Sequence, residues 1–287
     1  MAIRPWPAAI LLLLAILAGA AGSVAGARRG HPPTSRVVLI VLENHEYGEV
    51  AGSPEAPYLN RLARRETLIA RYHAVAHPSL PNYLAMLGGS TFGIADDCTE
   101  CSAHGSNLAL QLSRAGVSWR AYMEGMPRPC FGGAQAGGYV KRHDPFMYFP
   151  SIAANPHRCA NVVPTRRLRT DLKRRSLPAF AWIGPDLCYS AHNCNLATAD
   201  RHLSKLVPRI MRKLGRDGTL IVAFDEGRSN AGGGGHVFTV IAHPGRQRAK
   251  RLTATYNHYS LLAAIERHFG LPLLRAAQHA RALPLGR

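Results

Sequence analysis

Apolar residues follow two rhythms along this chain. A nearly continuous β-branched and aliphatic run covers Arg36 to Leu42, and further mainly apolar runs cover Leu68 to Val75, Ala179 to Ile183, Thr219 to Phe224 and His236 to Ala242, with a shorter one from Ser118 to Met123. The first predicts a strand buried on both faces, and the others predict further strands. Between them, apolar positions recur at helical spacing in Pro57 to Arg65, Tyr83 to Leu87, Asn107 to Ala115, Thr198 to Leu214 and His258 to Phe269. The stretch from Glu124 to Val163 is rich in proline, glycine and aromatics and reads as irregular excursions. Strands alternating with helices predict an α/β sandwich around a mainly parallel sheet.

In such sheets ligands bind beyond the carboxyl ends of the strands. The chemistry-bearing residues fall there: Glu43 and Asn44 after the first strand, Ser79 after the second, Asp186 after another, and Asp225 with Glu226 after Thr219–Phe224. Ser79 lies in His77-Pro78-Ser79-Leu80-Pro81-Asn82-Tyr83, where a strand gives way to a helix. That places it about at the N-cap, with Pro81 harmless in the first turn. Its hydroxyl faces unpaired N–H groups suited to phosphate, although a capping serine explains the same pattern. Glu43, Asn44, Asp225 and Glu226 are hard oxygen donors suited to a divalent cation of unspecified identity. Gly227 lets the chain turn so that both carboxylates face one site. Loop polarity and a turn are the plainer readings of these residues.

Ser79 is positioned to attack phosphorus. Asn82 is expected to bind a phosphoryl oxygen. His143, His192 and His258 are expected to protonate the leaving group, contact phosphate or bind metal. His77, His258 and Asp186 are assigned to the substrate. His73, His104, His157, His202, His268 and His279 are left as structural or surface residues, and His236 divides between strand surface and site rim. The run Gly232 to Gly235 lacks the Lys-Ser/Thr ending of a phosphate-binding loop and reads as flexible.

An apolar run of 13 residues, Ala8 to Ala20, follows Arg4 and ends in small residues at Ala25-Gly26-Ala27. This predicts a signal peptide over 1–27 and a secreted single domain over 28–287. All six cysteines, Cys98, Cys101, Cys130, Cys159, Cys188 and Cys194, lie beyond it. Proximity in sequence predicts the pairs 98–101, 130–159 and 188–194. The formal charge of +18 favours anionic partners, including phosphate esters and acidic membrane surfaces. Its densest cluster, Arg166 to Arg175, reads as a helix face broken by Asp171. No nucleic-acid-binding signature accompanies it, so no specific nucleic-acid partner is expected. A monomer is the default.

Six segments together, in order, resemble the phosphoesterase family of secreted bacterial acid phosphatases and phospholipase C-type enzymes within the alkaline-phosphatase superfamily. They are Val41-Leu42-Glu43-Asn44, His77 to Tyr83, Arg120-Ala121-Tyr122-Met123-Glu124, Lys141 to Phe146, Ala223-Phe224-Asp225-Glu226-Gly227 and Asn257-His258-Tyr259-Ser260. The resemblance implies a three-layer α/β/α, alkaline-phosphatase-like core and metal-assisted phosphoester cleavage through a phosphoenzyme. By position it makes Ser79 the nucleophile and Glu43, Asn44, Asp225 and Glu226 the metal sphere. His143 would lie near the substrate. The loop Asp186 to Cys194 departs from the family pattern at Tyr189, Ser190 and Asn193, which puts a second metal in doubt.

The expected function is a secreted, metal-dependent phosphomonoesterase, with lipid phosphates such as phosphoinositides among its substrates. A phospholipase C-type phosphodiesterase is the first alternative. A catalytically decayed phosphate- or membrane-binding protein is the second. A serine esterase lacks its Gly-x-Ser-x-Gly elbow.

Overall fold

The computed structural model describes residues 1–3, 35–245 and 248–286. The chain divides into Met1–Gly30 and a larger body, His31–Arg287, to which everything below refers. The expected signal peptide thus lies almost wholly outside the described residues.

Eleven strands are described: β1 Val37–Leu42, β2 Thr67–His73, β3 Trp119–Met123, β4 Gln135–Ala136, β5 Tyr139–Val140, β6 Val162–Pro164, β7 Phe180–Gly184, β8 Thr219–Phe224, β9 His236–Ala242, β10 Lys250–Leu252 and β11 Tyr256–Asn257. Nine of them form one sheet in the order β10-β2-β9-β8-β1-β7-β3-β6, with β11 beside β2. β9 runs antiparallel to both its neighbours, and the remaining pairs are parallel. The sheet is therefore mainly parallel, as the periodicity predicts. β4 and β5 make a separate hairpin, and β6 lies inside the stretch expected to be irregular. Only three residues of β6 pair, too few to leave a periodic signal.

Every residue of β1, β7 and β8 is buried. This follows from helices covering both faces. On one side α2 (Pro57–Arg65) and α7 (Arg166–Arg174) pack on α8 (Leu196–Leu214). On the other α3 (Ser79–Gly88) packs on α9 (His258–His268) and α4 (Leu108–Arg114). Short helices α1 (Tyr47–Val50), α5 (Pro150–Ala153) and α6 (Pro156–Cys159) fill the connections, giving the expected α/β/α layering. No described helix is long and apolar enough to cross a membrane.

The three expected disulfides are present: Cys98–Cys101, Cys130–Cys159 and Cys188–Cys194. Asp171 does more than interrupt a basic helix. Its buried carboxylate accepts from Arg120 at 2.6 Å, Tyr122 at 2.8 Å and Arg167 at 2.9 Å, tying α7 to β3.

In α9, Glu266 is fully buried and accepts only the Leu274 N–H, at 3.1 Å and 3.3 Å. Burial pushes its carboxyl up to about 8. The folded state thus holds a proton that the unfolded chain releases above its ordinary pKa. Between that value and about 8, stability falls as pH rises, at about 1.4 kcal/mol per pH unit for one group. Glu266→Gln keeps the acceptor without the charge. Its melting temperature should match the parent protein at pH 5 and exceed it by several degrees at pH 9; equal curves at both would refute the burial account.

Candidate active site

Strand register builds the site. β1 and β8 are paired through Leu42↔Phe224, so Glu43 and Asp225 leave adjacent strands at the same level. The Asp225 N–H donates to the Leu42 carbonyl at 2.9 Å. Asn44 then turns with φ 52°, in the left-handed region that asparagine tolerates. Its N–H donates to Asp225 Oδ1 at 3.1 Å.

Ser79 arrives from the loop after β2. It is the first residue of α3 rather than its N-cap, which is Pro78. All ten residues of α3 are buried, so this helix start points into the protein. The Ser79 hydroxyl lies 3.2 Å from Glu43 Oε2 and 3.0 Å from Glu226 Oε1. One turn on, Tyr83 donates its hydroxyl to Glu43 Oε1. The helix start is less open to phosphate than the sequence implies. Asp97 accepts the Leu80 N–H at 3.0 Å, and Pro81 has none to give.

Three carboxylates thus crowd one buried place. Burial pushes Glu43 up to about 7 and, with the charges of Glu43 and Glu226 beside it, holds Asp225 well above the usual range. Glu226 is raised by burial too. Burial opposes a charged His77, but its bonds to the Ser229 carbonyl at 3.0 Å and to Glu226 outweigh this and raise its pKa. His143 stacks on Tyr83 with ring centres 5.4 Å apart, its Nε2 3.3 Å from Glu43 Oε2. Its burial, beside Arg142 and His192, drives its pKa far down, so the ring is neutral. His192 sits 5.5 Å from the His143 ring on the same side.

A cleft of about 530 Å³ opens here, lined by Asn44, His45, His192, Asn193, Gly227 and Arg228 among others. Ser79 itself is only 2% exposed, and Asn44 joins the cleft to the carboxylate cluster.

No three His, Cys, Asp or Glu side chains among the described residues converge as a ready metal cage. The donors nonetheless fit a hard cation. Asn44 Oδ1 and Asp225 Oδ2 are buried without any hydrogen-bond partner, beside two further carboxylates. An uncompensated cluster of this kind is costly, and a divalent cation offsets it.

Three expected site residues are placed otherwise. Asn82 is fully buried, and its amide clasps the loop before the helix: Oδ1 accepts from Val75 and Ala76, and Nδ2 donates to the Ala76 and Pro78 carbonyls. No donor is left over for a phosphoryl oxygen. His258 lies behind the carboxylates, bonded to the Tyr72 hydroxyl at 3.0 Å and the Asp225 carbonyl. It braces β8 from a fully buried position, and burial lowers its pKa to about 4. Asp186 caps its own loop, accepting from the N–H groups of Cys188 at 3.0 Å and Tyr189 at 2.8 Å. It faces Gly138 and Glu124.

Other residues emerge only from the structure. Arg142 lies 3.4 Å from Asp97 and 3.5 Å from His192, placing a cation beside the helix start. Glu46 gathers the loop after β8, accepting from Arg228 N–H at 2.8 Å, Ser229 Oγ at 2.8 Å and His236 N–H at 2.9 Å. A Cβ at Gly227 would fall on that carboxylate. The run Gly232–Gly235 is not a free loop, because its backbone packs against His73, Val75 and Ala76, where side chains would collide. His236 stacks on Tyr47 at 4.4 Å, on the strand surface. Tyr83 was within reach of sequence reasoning, since a residue four positions after Ser79 shares its helix face. Asp97 and Glu46 carry no such signal.

The model of the phosphoesterase family matches residues 52–272. The chain belongs to the phosphoesterase family. Among its relatives, a probable acid phosphatase of Kluyveromyces lactis is 30% identical over 83% of this chain and 59% of its own length. An acid phosphatase of Aspergillus fumigatus is 29% identical over 84% of this chain and 56% of its own. This phosphoesterase-family chain therefore spans less than two thirds of those fungal proteins. A phosphatidylinositol-3-phosphatase of Mycobacterium tuberculosis is 28% identical, covering 93% of this chain and 88% of the relative. A solved alkaline-phosphatase-superfamily protein from Vibrio parahaemolyticus superposes with TM-score 0.58 at 12% identity, over 85% of this chain and 69% of that one, and shares the fold.

Tyr83 tests how far positioning matters. Tyr83→Phe removes the hydrogen bond to Glu43 but keeps the ring that stacks on His143. Loss of such an outer partner typically reduces activity or metal affinity about 10–100-fold. A phosphatase assay of this variant across metal concentrations should show that loss; unchanged kinetics would remove Tyr83 from the site.

Proposed function

We propose that this chain is a secreted, metal-dependent phosphomonoesterase with Ser79 as nucleophile. One observation carries the reading: a serine hydroxyl at the start of a buried helix lies within hydrogen-bond reach of carboxylates from two adjacent strand ends. The names of the fungal and mycobacterial relatives favour monoesters, and the mycobacterial one makes a lipid phosphate a substrate to test. The leader pattern and three disulfides favour export.

Ser79 Oγ attacks phosphorus as its proton passes to Glu226, whose Oε1 lies 3.0 Å from the hydroxyl. The P–O bond to the alcohol breaks, and His192, on the cleft wall, is placed to protonate the leaving oxygen. Water then attacks the phosphoserine, giving a proton back to His192, while Glu226 returns the serine proton as the P–Oγ bond breaks and phosphate leaves. Neutral His143 and the Arg142 guanidinium flank the phosphoryl group. Glu43, Asn44, Asp225 and Glu226 would hold a divalent cation, which when bound neutralises phosphoryl charge.

The test is hydrolysis of a chromogenic phosphate monoester and its matched diester, at acid and neutral pH, with and without chelator. Chelator-sensitive monoester release is the expected result. A diester preference would instead support the phospholipase C-type activity, and silence on both with added Mg²⁺, Ca²⁺, Mn²⁺ or Zn²⁺ would defeat the catalytic reading.

A further inference from the structure

A second cavity, with charged groups over a partly apolar floor of Leu168, Ile183 and Leu206, lies at the same rim of the sheet, apart from the carboxylate cluster. It holds about 260 Å³ and forms where α7 and α8 meet the ends of β3 and β7. Glu124 and His202 lie at its base, with Oε2 and Nε2 3.7 Å apart. Arg169, Lys205 and Arg209 line its mouth, all exposed. The mouth therefore carries three positive charges against one partly buried carboxyl. Burial and the neighbouring Asp186 push that carboxyl up to about 7, which weakens its opposition to an anion.

Tyr189 stacks on His202 with ring centres 4.3 Å apart and planes at 18°, which fixes the imidazole. Tyr189 is 37% exposed. It belongs to the loop that departs from the family pattern. The next residue, Ser190, accepts the Glu43 N–H at 2.9 Å, so one loop joins the two sites.

These groups divide by chemistry. Three flexible cations at a mouth suit a phosphate. A carboxyl and an imidazole at the base suit hydroxyls, because together they both accept and donate. We propose that the cavity bounded by Glu124, His202, Arg169, Lys205 and Arg209 is a second, non-catalytic binding site for a phosphorylated polyol or sugar. It stands independently of the catalytic reading.

The test is calorimetric titration of the Ser79→Ala protein at physiological salt, where diffuse surface attraction is screened. The probes are inorganic phosphate and myo-inositol 1-phosphate. At least one binding event is expected for the inositol phosphate, and it should be lost in Arg169→Ala/Lys205→Ala/Arg209→Ala on the same background. At that site the inositol phosphate should bind at least about tenfold tighter than phosphate, the worth of one extra net hydrogen bond. A control, Arg61→Ala/Arg64→Ala/Arg65→Ala, removes three cations from α2 and should change nothing. An unchanged isotherm in the first triple variant overturns the site, as does equal loss in the control. Equal affinity for the two probes overturns the polyol assignment. Thermal melting checks that each variant is folded, and monoester hydrolysis by the unsubstituted protein tests the catalytic reading separately.

Discussion

The Ser79→Ala protein is expected to lose at least about 10³-fold in phosphomonoester turnover while remaining folded, because the bond-forming atom is gone and nothing nearby replaces it. The only other hydroxyl described on Glu43 is that of Tyr83, which is buried and whose pKa burial holds well above its ordinary value, so it is a poor nucleophile. The fold should tolerate the change. Ser79 contributes one small side chain to a helix whose other nine residues are also buried, and its partners are carboxylates that repel one another. Steady-state hydrolysis of a chromogenic monoester reads the first effect, and thermal melting the second. Turnover within tenfold of the parent would place the nucleophile elsewhere.

The second large effect concerns the cation. Glu43 titrates near 7 in the folded protein against an ordinary value of 4.5, so the folded state holds more protons over that window and loses stability as pH rises through it. Protein stripped of divalent ions should accordingly melt lower at pH 8 than at pH 5. A cation held only by the folded state reverses this. At a hundredfold excess over Kd it contributes about 2.7 kcal/mol, roughly 5–10 °C for a domain of this size. Asp225→Asn should abolish most of that metal-induced shift and reduce turnover by orders of magnitude. Its amide still accepts from Asn44 N–H and can donate to Glu43, so the stripped variant should be at least as stable as the stripped parent at pH 8. A cation shift of equal size in parent and variant would refute the assigned ligands.

The strands of the core were legible because burial on both faces leaves an uninterrupted apolar run, and β1, β7 and β8 lie close to their expected bounds. The cysteine pairs were legible because each pair is close in sequence. The antiparallel direction of β9 was not, since direction depends on a connection and leaves no mark on a strand's own composition. The candidate site divides in the same way. Glu43, Asn44, Ser79, Asp225 and Glu226 end or follow predicted elements, and position along the chain suffices to group them. Asn82 and His258 are of the right residue types near the right places, yet packing turns both to structural uses.

The sequence by itself determined the alternating elements, the strand ends that carry the carboxylates, the disulfide pairs and the family. Those follow from local patterning and from motifs a few residues long. Only the tertiary structure decided that Arg142, Asp97 and Glu46 frame the site, and that Asp186 is spent capping its own loop. The physical reason is orientation: a side chain's partner depends on which distant element meets it, and hydrogen-bond capacity used by the backbone is no longer available to a substrate.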